Sequence, residues 1–232
     1  MSDVFKFYDA WASTYDEPDF LLESVIPLTV ELAAEKRPTR ALEVGAGTGK
    51  ITSELLSRGV SVLAIEPSEG MRAVLQRRCA SSIESGQLTI EPVDLASFRS
   101  RGRAFDLMVV SMVIDHLPTV DPVFSLAAES IKDGGRLVVS CVNPYYQMIV
   151  RRGMVCRGAE RNVAPEEVMV PQSVPACIHS FGSIIDAARR SGFMMTHLRE
   201  ATIDSTLVDK FPALQPERGY FHVFSASFER FV

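Results

Sequence analysis

The feature that most constrains this chain is a glycine-rich loop at residues 43–49, which reads Glu-Val-Gly-Ala-Gly-Thr-Gly. A short apolar run, residues 40–44, leads into the loop, and a stretch of helical period follows it. Glycine therefore stands where the backbone turns sharply from a strand into a helix and approaches a ligand closely. The loop predicts an α/β fold that binds a ligand at this turn.

The spacing of the glycines disfavours two phosphate-binding loops. A dinucleotide fingerprint needs Gly-x-Gly-x-x-Gly, but the sixth position counted from Gly45 is Lys50. A Walker loop needs Ser or Thr after Gly-Lys, and Ile51 stands there. Glycines at alternate positions after the acid Glu43 instead favour a ligand with an ammonium group. A carboxylate attracts such a group directly or through water.

The rest of the chain alternates short β-rich runs with longer stretches of helical period. This alternation is typical of a parallel sheet with helices on both faces. The predicted strands are residues 40–44, 61–65, 87–91, 105–110, 136–142, 193–203 and 220–228.

Helix signals separate these strands. Residues 20–34 have one broad apolar face, and Ser68 is a predicted N-cap of a helix that runs to about residue 80. Asp121 is a second predicted cap, with proline at the first helical position, and the Asp-Gly-Gly sequence at 133–135 is expected to end that helix. A last helix begins at residue 181 and ends before Gly192.

The segment from about residue 143 to 178 is rich in proline, glycine, tyrosine and methionine and predicts no regular element. Loops of this length inside a domain are usually functional or mobile, so we expect a substrate-side insertion or lid, with a disordered excursion as the alternative. The tyrosines and methionines of residues 145–169 indicate a hydrophobic substrate of aromatic or polyketide-like type.

Length and composition indicate one domain over residues 1–232, with a helical cap at about residues 1–37. The net charge of -5, with basic residues spread along the chain, argues against nucleic acid and favours a small-molecule substrate. The four cysteines form no Cys-x-x-Cys pair, so we expect no metal site and no disulfide framework. The absence of a leader pattern or a long apolar segment predicts a cytoplasmic protein without a membrane partner. Monomer and homodimer both stay open.

Two further acids follow the second and third predicted strands. Glu66 lies 21 residues after Gly45, where a carboxylate accepts both hydrogens of a ribose diol. Asp94 is placed to accept from an adenine amino group, with Pro67, Met71 and Leu95 as apolar neighbours of the ring. A single acid at such a position is usually a solvated loop residue. Three acids at successive strand ends behind this loop indicate a site for an adenosine-bearing ligand.

These motifs make the chain similar to the class I S-adenosylmethionine-dependent methyltransferases, in particular the branch that acts on small molecules. The resemblance covers residues 1–142 most clearly. It rests on the glycine loop at 42–49, Ala-Ile-Glu-Pro-Ser-Glu-Gly-Met at 64–71, Val-Asp at 93–94, the apolar strand with Asp-His-Leu-Pro at 105–118, and Asp-Gly-Gly-Arg-Leu at 133–137.

The resemblance implies a three-layer Rossmann-like sheet of seven mostly parallel strands with an antiparallel last strand. It also implies S-adenosyl-L-methionine as cofactor and methyl transfer as the reaction. The residues that it implies as cofactor contacts are Glu43, Gly45, Ala46, Gly47, Glu66, Met71, Asp94 and Ser111.

The N-terminal segment resembles the Tyr-Asp-containing opening of this branch, which covers the cofactor. Tyr8 and Tyr15 are seven residues apart and so are expected on one helical face, where their hydroxyls meet the cofactor carboxylate. The alternative is a helix packed by its own aromatic side chains.

His116 and His179 are the candidate catalytic residues, and an imidazole exchanges protons near neutral pH. For His179 the resemblance implies the role, because many relatives have a histidine near the pocket at this position before the helix at residue 181. His116 follows the fourth strand, where many relatives have His-His-Leu-Pro and this chain has Asp-His-Leu-Pro; the alternative is a structural hydrogen bond. Arg151 and Arg152 are positioned to pair with an anionic substrate, or are simply solvated. Methyl transfer does not require a base, since positioning the reactants supplies much of the rate.

Two other functions stay open at this stage. A nicotinamide-dependent oxidoreductase has a similar sheet but is disfavoured by the glycine spacing. A non-catalytic adenosyl-binding module would need the same acids. Oxygen, nitrogen and carbon all remain open as the methyl acceptor.

Overall fold

The computed structural model describes residues 3–100, 102, 104–149, 155–157, 160–162 and 177–231. The helices of these residues are α1 Asp3–Trp11, α2 Phe20–Ala34, α3 Lys50–Ser57, α4 Glu69–Arg78, α5 Ala80–Glu84, α6 Asp121–Ser130, α7 Pro144–Ile149, α8 Phe181–Arg190 and α9 Ser205–Lys210. The strands are β1 Arg40–Val44, β2 Ser61–Ile65, β3 Leu88–Glu91, β4 Phe105–Ser111, β5 Ile131–Val142, β6 Val155–Arg157, β7 Glu160–Asn162, β8 Phe193–Thr202 and β9 Phe221–Arg230. Short 3₁₀ turns lie at Ile114–His116 and Pro212–Glu217.

Seven strands form one sheet in the order β3-β2-β1-β4-β5-β9-β8. Strands β1 to β5 pair in parallel, and β9 runs antiparallel to both of its neighbours. Glu43 of β1 lies opposite Ala64 of β2 and Val109 of β4, so the carboxyl ends of the parallel strands meet at one edge. The predicted seven-stranded sheet with an antiparallel last strand is confirmed. Strands β6 and β7 form a separate hairpin.

Alternate residues of the central strands bury their side chains on opposite faces of the sheet. Leu42 and Met108 pack on one face with Phe124 of α6 and Ala187 of α8. The other face buries residues of β1, β2 and β4 against α2, α3 and α4; Leu32, Ala41, Leu55, Val62, Leu75 and Val109 are among its members. Both faces of the sheet are therefore covered, as near-continuous apolar strands require. The expected three layers are present.

Local capping chemistry fixes where the helices around the site begin. Asp19 accepts hydrogen bonds from the backbone of Leu21 at 2.9 Å and Leu22 at 3.0 Å, and so starts α2. Ser68 accepts from the backbone of Met71 at 3.2 Å and starts α4, as predicted. The predicted single helix from Ser68 to about residue 80 is divided, because α4 ends at Arg78 and α5 begins at Ala80.

The expectation that the Asp-Gly-Gly sequence at 133–135 ends helix α6 was wrong. Helix α6 ends at Ser130, and β5 begins at Ile131. The pairing of β4 with β5 jumps from Ile131 to Arg136, so the residues between them bulge out of the ladder. A Cβ at Gly135 would come within 2.9 Å of the Asp106 carbonyl oxygen, which explains glycine there.

Two smaller corrections concern the ends of elements. Helix α6 includes Asp121 as its first residue, and Val120 is the cap, so Asp121 is not the N-cap. The segment predicted to lack regular structure begins with helix α7, in which Tyr146 is 3% exposed and packs with α2. Burial of this face stabilises a short helix that its sequence alone does not predict.

Candidate active site

A cavity of about 400 Å³ opens at the carboxyl ends of β1, β2, β3 and β4. Ligands of open parallel sheets bind at this edge, and the volume is that of a small-molecule pocket. The structure brings most of the predicted site residues to its wall: Tyr8, Tyr15, Gly45, Gly47, Glu66, Pro67, Met71, Asp94, Leu95, Ser111 and His116.

The glycine loop is held against the end of β2. The backbone amide of Gly45 donates to the Ile65 carbonyl at 2.9 Å, and Gly45 and Gly47 have φ values of 70° and 55°. Residues with a side chain rarely adopt this left-handed backbone conformation, whereas glycine does so freely. A Cβ on Gly45 would also overlap the side chain of Val113. Glycine at this position therefore allows both the turn and the close packing.

Glu66 joins the ends of the first two strands. One carboxylate oxygen accepts from the Gly47 amide at 2.8 Å, and the other accepts from the Ser68 amide at 2.9 Å. The side chain is 6% exposed, and this burial raises the pKa of its carboxyl group. Each carboxylate oxygen has a second lone pair, so Glu66 can accept two more hydrogen bonds from a diol.

Asp94 and its neighbours form the wall beyond Glu66. Its Oδ1 accepts from the Ser97 amide at 2.7 Å, which fixes the direction of the carboxylate at the end of β3. Leu95 and Met71 line the cavity beside it, and Met71 is 1% exposed. An acid beside apolar walls fits a flat aromatic ring that carries an amino group.

Glu43 and Ala46 line a smaller pocket of about 50 Å³, which shares Gly45 and Gly47 with the large cavity. Glu43 is 3% exposed, and its Oε2 accepts from the Thr52 hydroxyl at 2.7 Å. Burial raises the pKa of the Glu43 carboxyl group to about 8. Without a cation beside it, this group is therefore mostly protonated at pH 7.

Hydrogen bonds that the sequence did not predict hold helix α1 beside the cavity. Asp9 Oδ1 accepts from the Ser68 hydroxyl at 2.6 Å and from the Gly70 amide at 3.0 Å. A Cβ at Gly70 would come within 2.8 Å of the Asp9 carbonyl oxygen, so glycine permits this approach. Asp16, further along, accepts from the Thr48 hydroxyl of the glycine loop at 2.7 Å.

Tyr8 and Tyr15 both reach the cavity, but they do not share a helix, because α1 ends at Trp11. The expected single helical face was wrong, although their rings meet at 6.1 Å between centroids through the turns that follow α1. The Tyr8 hydroxyl is 2.8 Å from Nε2 of His116. Burial raises the pKa of both tyrosine hydroxyls well above the ordinary value.

His116 reaches the cavity because the chain reverses after β4. Met112 has a φ of 56°, unusual for a side-chain-bearing residue, and its amide donates to the Ser140 carbonyl at 2.8 Å. The turn at Ile114–His116 follows. Nδ1 of His116 is buried and has no hydrogen-bond partner among the described residues.

His179 lies elsewhere. Its Nε2 is 2.9 Å from both the Ile114 and the Leu117 carbonyl oxygens, so this nitrogen carries a proton and donates. It supports the turn that carries His116, and it is not among the residues that line the cavity. Arg151 and Arg152, like most of the predicted insertion, lie outside the described residues.

In the ranges that the structure describes, no group of three or more acidic, histidine or cysteine side chains is arranged to hold a metal ion. No helix within the same ranges has the length and apolar character needed to cross a membrane.

A family model described as a methyltransferase domain matches residues 19–198. This chain belongs to that family. An uncharacterized methyltransferase of Alkaliphilus oremlandii is 29% identical over 129 residues, which are 50% of this chain and 56% of that protein. The chain thus spans about half the length of the curated relatives that it matches.

Solved structures share the fold of this methyltransferase-family chain. A S-adenosylmethionine-dependent methyltransferase from Mesorhizobium loti has a TM-score of 0.70 at 22% identity, over 90% of this chain and 100% of that one. The N-methyltransferase NodS from Bradyrhizobium japonicum, in complex with S-adenosylhomocysteine, has a TM-score of 0.67 at 14% identity, over 99% of each chain. The predicted family and fold are confirmed, and the cofactor predicted from the sequence is that of the family.

We expect Gly45→Ala to weaken binding of S-adenosylhomocysteine and to lower the free energy of unfolding. The matched control is Gly86→Ala, because Gly86 has a similar φ of 76° but nothing within 4 Å of the added Cβ. The left-handed backbone destabilises both variants by about 1 kcal/mol, and overlap with Val113 destabilises the Gly45 variant by about 1–3 kcal/mol more. Urea unfolding measures the difference; equal losses in the two variants would contradict the account of this turn.

Proposed function

We propose that this chain transfers a methyl group from S-adenosylmethionine to a small, hydrophobic acceptor. The observation that carries the proposal is the row of acids at the ends of β1, β2 and β3, beside the glycine loop and helix α1. Glu43 and Glu66 are buried, and Asp94 is half-buried in the cavity wall. When bound, S-adenosylmethionine would supply a methyl group on a positively charged sulfur. The nucleophile of the acceptor would bond to the methyl carbon in line, and the sulfur would leave as that of S-adenosylhomocysteine.

The residues present fit the cofactor along its length. Glu66 would accept from the ribose diol, and Asp94 from the adenine amino group. Pro67, Met71 and Leu95 would cover the faces of the ring. At the other end, the protonated carboxyl of Glu43 would ionise beside the ammonium group of the methionine part. Each acid would then gain a donor or a cation from the ligand, in addition to the hydrogen bonds that the protein already donates to it.

The acceptor is proposed to bind in the part of the cavity lined by Ser111 and by Tyr8 and His116, which contact each other. The wall there is largely apolar, with Val113 and Leu117, which supports a hydrophobic or aromatic acceptor. Positioning such a molecule against the methyl group contributes most of the rate acceleration.

His116 is proposed to take the proton of the acceptor. Its Nε2 is held by the Tyr8 hydroxyl, and an acceptor hydroxyl that replaces this contact would give its proton to the same nitrogen. Among the residues that the structure describes, Nδ1 has no hydrogen-bond partner, and such a buried polar atom costs about 1–3 kcal/mol. This cost supports a functional role for His116. His179 is assigned a supporting role through its bonds to the Ile114 and Leu117 carbonyl oxygens.

We expect His116→Ala to lower kcat about 10²-fold or more on an acceptor that needs deprotonation. His179→Ala is the comparison, and a smaller loss accompanied by a lower Tm is expected there. Production of S-adenosylhomocysteine from a panel of hydroxylated aromatic compounds provides the assay. If both variants keep full turnover, proximity alone drives the reaction and no base is used.

Binding should release a proton at neutral pH. The Glu43 carboxyl group has a pKa of about 8 in the free protein, and a ligand ammonium group lowers that pKa. Binding at pH 7 therefore releases about one proton, and affinity rises with pH until about pH 8, where the free carboxyl group is already ionised. Calorimetry of S-adenosylhomocysteine in buffers of different ionisation enthalpy measures this release.

Glu43→Gln is the control for the proton measurement. The glutamine side chain has nearly the same shape and cannot ionise. The variant protein should therefore bind S-adenosylhomocysteine more weakly and release no proton. A wild-type protein that releases no proton at pH 7 would show that Glu43 does not face the ammonium group.

Calorimetry with S-adenosylmethionine and S-adenosylhomocysteine tests the proposal as a whole. Absence of binding would end it, and a fluorescence titration with reduced nicotinamide cofactor would then test the oxidoreductase alternative. Cofactor binding without turnover on any metabolite pool would favour a non-catalytic module. A cytoplasmic location and a monomeric or homodimeric state stay predictions.

A further inference from the structure

Asp115 places a buried carboxylate oxygen beside the imidazole of His116. The residue is 8% exposed, and its Oδ1 lies 3.8 Å from Nε2 of His116. This oxygen has no hydrogen-bond partner among the described residues. In the same part of the chain, His116 is the one basic side chain that pairs with the carboxylate. A buried carboxylate is unfavourable without a counter-charge, and the imidazole is the group placed to supply one.

The charge of Asp115 also acts on the groups that surround the imidazole. Burial raises the pKa of the Tyr8 hydroxyl, and the charges of Tyr15 and Asp115 raise it further. Tyr8 therefore keeps its proton at neutral pH and donates it to Nε2 of His116 at 2.8 Å. Burial and then the charge of Asp115 raise the pKa of the Cys141 thiol, which stays neutral. Nε2 is thus the ring nitrogen that is free of a proton, and it faces Asp115.

The other ionisable groups near this turn are Glu66 and His179. The charge of Glu66 raises the pKa of Tyr8 less than the charge of Asp115 does. Nε2 of His179 donates to two backbone carbonyl oxygens beside the turn. Among the described residues, Asp115 is therefore the acid that pairs with Nε2 of His116.

Methyl transfer to a hydroxyl group moves one positive charge. The acceptor oxygen bonds to the methyl carbon, and the electron pair of the carbon–sulfur bond stays on the sulfur, which becomes neutral. The acceptor proton passes to Nε2 of His116, so the positive charge ends on the imidazole. We infer that Asp115 is a positioning residue that stabilises this imidazolium through the pair between its Oδ1 and Nε2. The inference rests on the proposed function, whereas the pair itself is present in the free protein.

The competing explanation is that Asp115 only holds the turn that carries His116. The Asp115 carbonyl oxygen accepts from the Cys177 amide at 2.5 Å, and its side chain hydrogen-bonds to the Cys141 thiol. A residue that only holds the turn would affect stability without changing the pH at which His116 takes up a proton. Asparagine has nearly the same shape as aspartate and no charge, so Asp115→Asn separates the two roles.

The experiment is a pH titration of the histidine rings by NMR in the free full chain, with His116→Gln to assign the signal. Asp115→Asn should move the midpoint of the His116 titration down by about one pH unit or more, because the imidazolium loses its counter-charge. Asp115→Glu should recover part of this shift, because it restores the charge. Asp186→Asn is the control; it removes an exposed acid of α8 and should leave the midpoint nearly unchanged.

The same variants test the reaction on a hydroxylated aromatic compound that the wild-type chain methylates. Asp115→Asn should lower kcat about three- to tenfold and move the acid limb of the rate profile to lower pH, in parallel with the NMR midpoint. Calorimetry should show the Kd of S-adenosylhomocysteine within about twofold of the wild-type value, because its sulfur is neutral.

Three results would overturn the inference. An unchanged NMR midpoint in folded Asp115→Asn denies the pair, and a shifted midpoint with unchanged kcat denies it a part in the reaction. A wild-type chain that binds no S-adenosylhomocysteine rejects the proposed function and the role in the reaction, while the NMR midpoint still decides whether the pair exists. Thermal melting shows whether each variant is folded; Asp115→Ser repeats the comparison if Asp115→Asn melts early.

Discussion

The site depends on one carboxylate that joins two strand ends. Glu66 follows β2, and its two oxygens accept from the Gly47 amide of the glycine loop and from the Ser68 amide at the start of α4. These bonds hold the loop after β1 at a fixed distance from the helix after β2. Ser68 in turn donates its hydroxyl to Asp9 of α1. Glu66 therefore positions the glycine loop and the start of α4, and Asp9 attaches α1 to that same helix start.

The same arrangement costs stability. Glu43 and Glu66 are 3% and 6% exposed, and burial raises the pKa of both carboxyl groups. Burying a carboxyl group is unfavourable, and for Glu66 the charge of Arg72 and the hydrogen bonds from Ser68 and Gly47 offset only part of this effect. A ligand that brings an ammonium group to Glu43 and hydroxyl donors to Glu66 offsets this cost on binding. The fold and the proposed chemistry are linked through these two acids.

The strands that frame the site could be predicted from the sequence, because a run such as residues 40–44 is apolar and is followed at once by glycine. The acids Glu66 and Asp94 were located by their places after the next two strands. The Asp-Gly-Gly sequence at 133–135 was wrongly assigned to the end of a helix, because glycine suits a bulge inside a strand as well as a helix end. The contact between Asp9 and Gly70 joins residues far apart in sequence, and no periodicity within a single chain indicates such a pair.

The central claim is that the cavity at the ends of β1 to β4 is the binding site of an adenosine-bearing cofactor. A crystal structure of the chain with S-adenosylhomocysteine tests it most directly. The account predicts the ribose hydroxyls within hydrogen-bond distance of Glu66, the adenine ring between Met71 and Leu95 with its amino group at Asp94, and the amino-acid end in the pocket of Glu43. Adenosine bound elsewhere, or with its ribose turned away from Glu66, would contradict it.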